Sequence, residues 1–153
     1  MGPLDKIRLF RSLSDPERRL LLRAGAMLPR VDVSLRLRGW VRTRTEMEHW
    51  ADERGPRHGI EPRRVAWLVE RAARNVPWPA TCLRRSLVLW ALLRREGVQA
   101  VIRLGVRKAE GSHAAHAWVE LQGVVLNDRP DVAQTFPAAF EAHGREPARV
   151  VRA

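Results

Sequence analysis

The sequence predicts an α+β fold in which N-terminal helices lead to a central nucleophile-bearing helix packed on a small antiparallel sheet. Three observations carry this. Apolar residues recur at helical spacing as far as Gly97 and alternate strictly from Ala100. Residues 87–93 are apolar all round, as in a helix wrapped by the rest of the fold. Cys82, the only cysteine, opens that same helix. A chain of 153 residues suffices for one domain with a real core, expected over 1–153 as a helical part at 1–76 and a helix-plus-sheet part at 77–153.

Residues 4–13 form a short apolar and basic segment with Leu4, Ile7 and Phe10 on one face. Ser14-Asp15-Pro16-Glu17 then has capping-box spacing and starts a helix. Leu20, Leu21, Ala24, Met27 and Leu28 supply its apolar stripe, and Pro29 is expected to end it. Residues 31–38 alternate as a strand would, whereas Leu37, Trp40 and Val41 continue at helical spacing and favour a helix over about 34–53. A loop at 55–59 precedes a helix opened by Glu61-Pro62, with Val65, Leu68, Val69, Ala72 and Ala73 on its buried face. Val76-Pro77-Trp78-Pro79 breaks it, and Thr81 is the N-cap of the next helix, which runs from Cys82 to about Glu96 and ends at Gly97.

Strands follow at about 100–107, 113–120 and 124–128, with turns at 108–112 and 121–123. Beyond them, Phe136 and Phe140 are expected to cover the sheet, and Arg149-Val150-Val151 to form an edge strand. No repeat or low-complexity segment interrupts the pattern.

Composition narrows the setting. No segment approaches the roughly 18 to 20 apolar residues of a membrane span, and the N-terminus lacks the layout of a secretory signal. A lone cysteine excludes an internal disulfide and points to a reducing, cytoplasmic compartment. The net charge of +11 is carried almost wholly by arginine. Because the arginines are scattered through helices and strands, they read as a solvated surface before a nucleic-acid site.

Chemistry centres on Cys82. Backbone N–H groups at a helix start favour a thiolate and can donate to an oxyanion on an attacked carbonyl. A free cysteine is also among the most commonly buried residues, so position alone leaves a packed thiol as the alternative. A thiolate nucleophile needs a base held by a third group. A three-residue loop at 121–123, with Gly123 at positive φ, would pair Glu120 with Val124 and set His116 across from Asp128. A two-residue loop would set Asp128 opposite Ala117, on the wrong face. His113 should point away from His116, and with no second cysteine a zinc site is disfavoured. Neither a metal nor an organic cofactor is expected. Trp118 shares the His116 face and Trp78 precedes Cys82; both are candidate substrate-binding residues. Arg84 and Arg85 are read as helix-solvating, and His49, His58 and His143 as surface residues.

Several of these stretches resemble a known family. Cys82 at a helix start, His116 in His116-Ala117-Trp118-Val119-Glu120 and Asp128 on the next strand follow the order of transglutaminase-like, papain-related cysteine enzymes. More narrowly, Thr81-Cys82-Leu83-Arg84-Arg85-Ser86-Leu87, Leu92-Leu93-Arg94-Arg95-Glu96-Gly97 and Leu104-Gly105-Val106-Arg107-Lys108 resemble the leader peptidase of bacterial lasso-peptide biosynthesis, over about 77–128. The resemblance implies a cytoplasmic cysteine protease with Cys82 as nucleophile, His116 as base and Asp128 as orienting acid. It would remove the leader from a ribosomally made precursor before a separate cyclase closes the ring. As a stand-alone peptidase it would work with a separate leader-binding protein, the RiPP recognition element. Two other readings stand beside it: an acyltransferase using the same three residues, and a basic non-enzymatic module for RNA or an acidic protein.

Overall fold

The computed structural model of the protein describes residues 3–53, 57–109 and 112–141. Within them the order is α1 (Pro3–Ser12), α2 (Asp15–Asp52), α3 (Pro62–Ala73), α4 (Cys82–Arg95), β1 (Val101–Ala109), β2 (Ser112–Leu121), β3 (Val124–Val125), α5 (Val132–Thr135) and β4 (Ala138–Glu141). Helices precede an antiparallel sheet, the α+β arrangement that the change of period predicts.

The start of α2 is as expected: the Glu17 carboxylate accepts from the Ser14 backbone N–H at 2.8 Å and from its hydroxyl at 2.9 Å. Its end is not. Pro29 lies inside the helix, which continues through it. The proline penalty is about 3 kcal/mol. Leu20, Ala24, Met27, Leu28 and Val31 are all buried across that point, and each large apolar side chain contributes roughly 1.5 to 3 kcal/mol, so packing outweighs it. The real break is Gly39, at φ 76° and ψ 179°. A straight helix would separate Ser34 from Thr43 by about 13 Å, yet their hydroxyls lie 2.9 Å apart. The chain therefore doubles back at Gly39, and residues 40–52 run along the arm before them. Glycine permits that conformation at little steric cost.

In α3 the Glu61 carboxylate accepts from the Arg64 N–H at 3.0 Å, and Val65, Leu68, Val69 and Ala72 are buried as the periodicity predicts. Every residue of α4 from Ser86 to Leu93 is buried, between α2 and α3 on one side and the sheet on the other. Arg84 and Arg85 do more than solvate its first turns. Arg84 pairs with the buried Asp32 of α2 at 2.5 Å, and Arg85 with Glu70 of α3 at 2.9 Å. His58 is likewise not a surface residue: its ring and backbone N–H meet the Glu96 carboxylate at 2.9 and 2.6 Å, fastening the loop before α3 to the end of α4.

The sheet order is β3-β2-β1-β4, each neighbour antiparallel. Strand β4 takes the outer edge of β1, a position unforeseen from the sequence; the edge strand expected at 149–151 lies outside the described residues. The hairpin between β2 and β3 corrects the expected register. Leu121 pairs with Val124, so the loop is the two residues Gln122 and Gly123, at φ 51° and 79°. Along the β1–β2 ladder, Ile102, Leu104, Ala117 and Val119 alternate with Arg103, Gly105, His116 and Trp118. Ile102 and Val119 join the core formed with the helices.

Much of the arginine is engaged inside the molecule. Arg64 and Arg71 stack on Trp67 at 4.3 and 4.9 Å, Arg95 on Trp50 at 4.5 Å and Arg44 on Trp90 at 4.6 Å. Burial pushes the Arg44 guanidinium below its usual range. Among the described residues, no helix is long and apolar enough to cross a membrane.

Candidate active site

Cys82 is the first residue of α4, with a partly exposed, unpaired thiol. Thr81 precedes it in an extended conformation, φ −65° and ψ 161°, without a side-chain capping bond. Its carbonyl takes the Arg85 N–H at 3.1 Å. The N–H groups of the first turn, that of Cys82 included, precede the first residue with a helical partner and are open to a ligand's oxygen.

His116 lies in β2 with its Nε2 2.5 Å from Asp128 Oδ2. Both side chains are about a quarter exposed. The other carboxylate oxygen, Oδ1, accepts from the Arg129 backbone N–H at 2.7 Å, which leaves the acid little freedom to turn. The expected pairing is thus present, reached by another route. Strict continuation of the observed register would bring Asp128 opposite Ala117. Instead the ladder stops after Val125 and Leu126, whose N–H still donates to the Val119 carbonyl at 2.9 Å. The Asn127 side chain then replaces a strand: its Oδ1 accepts from the Val119 N–H at 2.8 Å. Using a side chain there frees the main chain to shift, and Asp128 swings onto the imidazole.

The same asparagine fixes the helix. Asn127 Nδ2 donates to Ser86 Oγ at 3.0 Å, and Ser86 Oγ donates to the Ala117 carbonyl at 3.0 Å. Ser86 is fully buried and stands one turn after Cys82 on the same helix face. Two hydrogen bonds therefore join the cysteine-bearing face of α4 to the immediate neighbours of His116 and of Asp128. Among the described residues, no direct hydrogen bond between Cys82 and His116 accompanies this tie.

Aromatic rings hold the imidazole. Phe136 stacks on it with centroids 5.0 Å apart and planes 20° apart; Trp118 follows at 6.3 Å and 26°. Trp118 is fully buried, so it stands behind the imidazole and not on an open wall. Its indole N–H donates to Glu120 at 2.7 Å, and Arg103 donates to the second oxygen of that carboxylate at 3.0 Å. Trp78, by contrast, is exposed in the loop before α4. His113 is exposed and paired with Lys108 in the ladder. Among the described residues, no group of three or more His, Cys, Asp or Glu could hold a metal ion.

Sequence reasoning passed over Asn127, Ser86 and Gly105. Only Gly105 left a signal, as an isolated glycine within a strand pattern, which marks a close approach. Phe136 was expected over the sheet and is found on the imidazole itself.

The chemistry open to such an imidazole, with Nε2 held by a carboxylate and no Nδ1 partner among the described residues, is proton transfer at Nδ1. A family model described as the transglutaminase-like superfamily matches residues 26–141. No curated protein and no solved structure gives a significant match.

Proposed function

Because the chain belongs to the transglutaminase-like superfamily, whose enzymes generally carry a Cys-His-Asp set, we propose that it is a cysteine peptidase acting through Cys82, His116 and Asp128. The observation that carries this reading is the His116–Asp128 pair, tied through Asn127 and Ser86 to the cysteine-bearing face of α4. Asp128 on Nε2 leaves Nδ1 as the nitrogen that takes the thiol proton. The Cys82 sulfur adds to the carbonyl carbon of a peptide bond, and the oxyanion is met by the Cys82 backbone N–H. Collapse expels the amine, which takes the proton back from His116, and leaves a thioester. Water then adds, with His116 again as base, and the thioester breaks to a carboxylate and free Cys82.

The substrate in this reading is the leader region of a ribosomally made lasso-peptide precursor. The motif stretches over 77–128 support that choice. The partners are a separate leader-binding protein that presents the precursor and a cyclase that acts on the released core. The test is incubation of the protein with precursor and leader-binding protein, read by mass spectrometry, wild type against Cys82→Ala. Wild type is expected to yield a leader ending in a free carboxylate, and Cys82→Ala to yield none. Cleavage that persists in Cys82→Ala overturns the reading. A leader joined to an added amine, in place of the free acid, identifies an acyltransferase.

A further inference from the structure

An apolar groove of about 660 Å³ lies between α1, the first arm of α2 and the end of α3. Ile7 and Phe10 of α1 line it, as do Leu22 and Pro29 of α2, and Val76 with Pro77 from the segment that leads into α4. Ile7 is 52% exposed and Leu22 62%, unusual values for large apolar residues facing one cleft. The apolar surface continues along α2 through Pro29 to Val33 and Leu37, which line a second depression beyond that proline. From Leu22 to Leu37 this stripe extends about 22 Å at the rise of an α-helix.

The charged residues lining the groove have one sign, although Glu46 joins Arg30 and Arg38 in the depression beyond Pro29. Lys6, Arg11 and Arg71 line the groove itself, and among the described residues no carboxylate does. A second copy of a chain of net charge +11 would bring like charges together here. The groove also lies within a short reach of the thiol along the chain. Pro77 stands five residues before Cys82, so the chain between them spans at most about 18 Å.

From apolar floor, cationic rim and nearness to Cys82, we infer that this groove seats an acidic, amphipathic segment of the substrate polypeptide, one side of the bond to be broken. The inference rests on a polypeptide substrate. Apolar side chains at i, i+3 and i+4 would fill the cleft, and Glu or Asp between them would face the rim. Such a segment would raise the local concentration of the scissile bond at Cys82 without contributing to the chemistry itself.

The single cysteine makes a test possible that needs no turnover. Two peptides carry leucine at helical spacing, one with glutamate and the other with lysine at the intervening positions. Each ends in a Gly/Ser linker of eight residues, reaching roughly 16 Å, and a chloroacetamide whose chloride the Cys82 thiolate displaces to leave a thioether. Labelling rates are read by intact mass. The acidic peptide is expected to label wild type at least tenfold faster than the lysine peptide, with the ratio falling towards one in Leu22→Asp, in Ile7→Asp and at high salt. Equal rates for the two peptides in wild type overturn the inference. So does an undiminished ratio in both variants, or a concentration-dependent dimer that Leu22→Asp abolishes. Loss of precursor cleavage with an intact labelling ratio would count against the peptidase reading and leave the groove standing.

Discussion

A Cβ placed on Gly105 would meet Phe136 Cβ at 2.6 Å and the Trp118 ring at 2.8 Å, the two rings that flank His116 from the neighbouring position of the ladder. Trp118 cannot give way freely, because it is fully buried and its N–H is held by Glu120. Gly105→Ala should therefore displace the imidazole's supports. Overpacking of this kind destabilises by about 1 to 3 kcal/mol, and loss of alignment should lower kcat by tenfold or more with a smaller change in KM. Steady-state kinetics beside a thermal melt would check both, and an unchanged His116 imidazole titration by NMR would count against a positioning role. The pairing of His116 with Asp128 was legible in the sequence, because few residue types can hold an imidazole, although the loop length that led to it was not. Asn127 and Ser86 were not legible. An asparagine that imitates a strand has no composition signature of its own, and its role exists only once the ladder has stopped.

Between elements, the contact to test is the tie from Asn127 to Ser86. Asn127→Ala removes a strand surrogate from the Val119 N–H, leaving it without that acceptor, and a donor from the buried Ser86 hydroxyl, which keeps only its bond to the Ala117 carbonyl. Unsatisfied buried groups cost about 1 to 3 kcal/mol each. The expected result is a lower denaturant midpoint together with loss of most of the proposed cleavage activity, whereas Asn127→Asp, which keeps the acceptor, should retain the Val119 bond alone and fall between. Helix starts at Ser14, Glu61 and Thr81 were readable because capping residues and prolines act over a few residues. The reach of α2 was not, since whether Pro29 ends a helix depends on what is buried beyond it, and the reversal at Gly39 depends on which arm finds a partner. The hairpin loop turned on a similar balance: Gln122 takes a positive φ that most residues avoid, and a two-residue turn follows.

For the molecule as a whole, the carboxylates that join its parts set the response to acid. Glu17 is held down to about 2, chiefly by the Ser14 backbone N–H and then by Arg64 of α3, whose Nε lies 2.6 Å away. A carboxylate depressed on folding contributes stability that is complete above its unfolded value of 4.5 and is lost as the pH falls from there towards 2. Glu17→Gln should lower stability at pH 7 by about 1 kcal/mol, in the range of a lost helix cap. Denaturant melts of the two proteins should converge as the pH is lowered through that window; a constant gap between them would mean that the carboxylate's charge plays no part. The arginine-rich surface follows the same logic of pairing. Its tryptophans take up guanidinium groups as stacking partners, which the scattering of both residue types along the sequence did not disclose.

The Ser86 hydroxyl bears on how this molecule would breathe. It accepts from the segment bearing the acid and donates to the strand bearing the base, from a helix whose next turn up bears the thiol. Three pieces of the chain thus share one pivot, and a small sliding of helix against sheet would carry the acid-bearing segment along with the helix instead of leaving it behind. Thermal fluctuation would change the setting of the whole trio in phase, much as a linkage keeps its arms in proportion while the frame flexes.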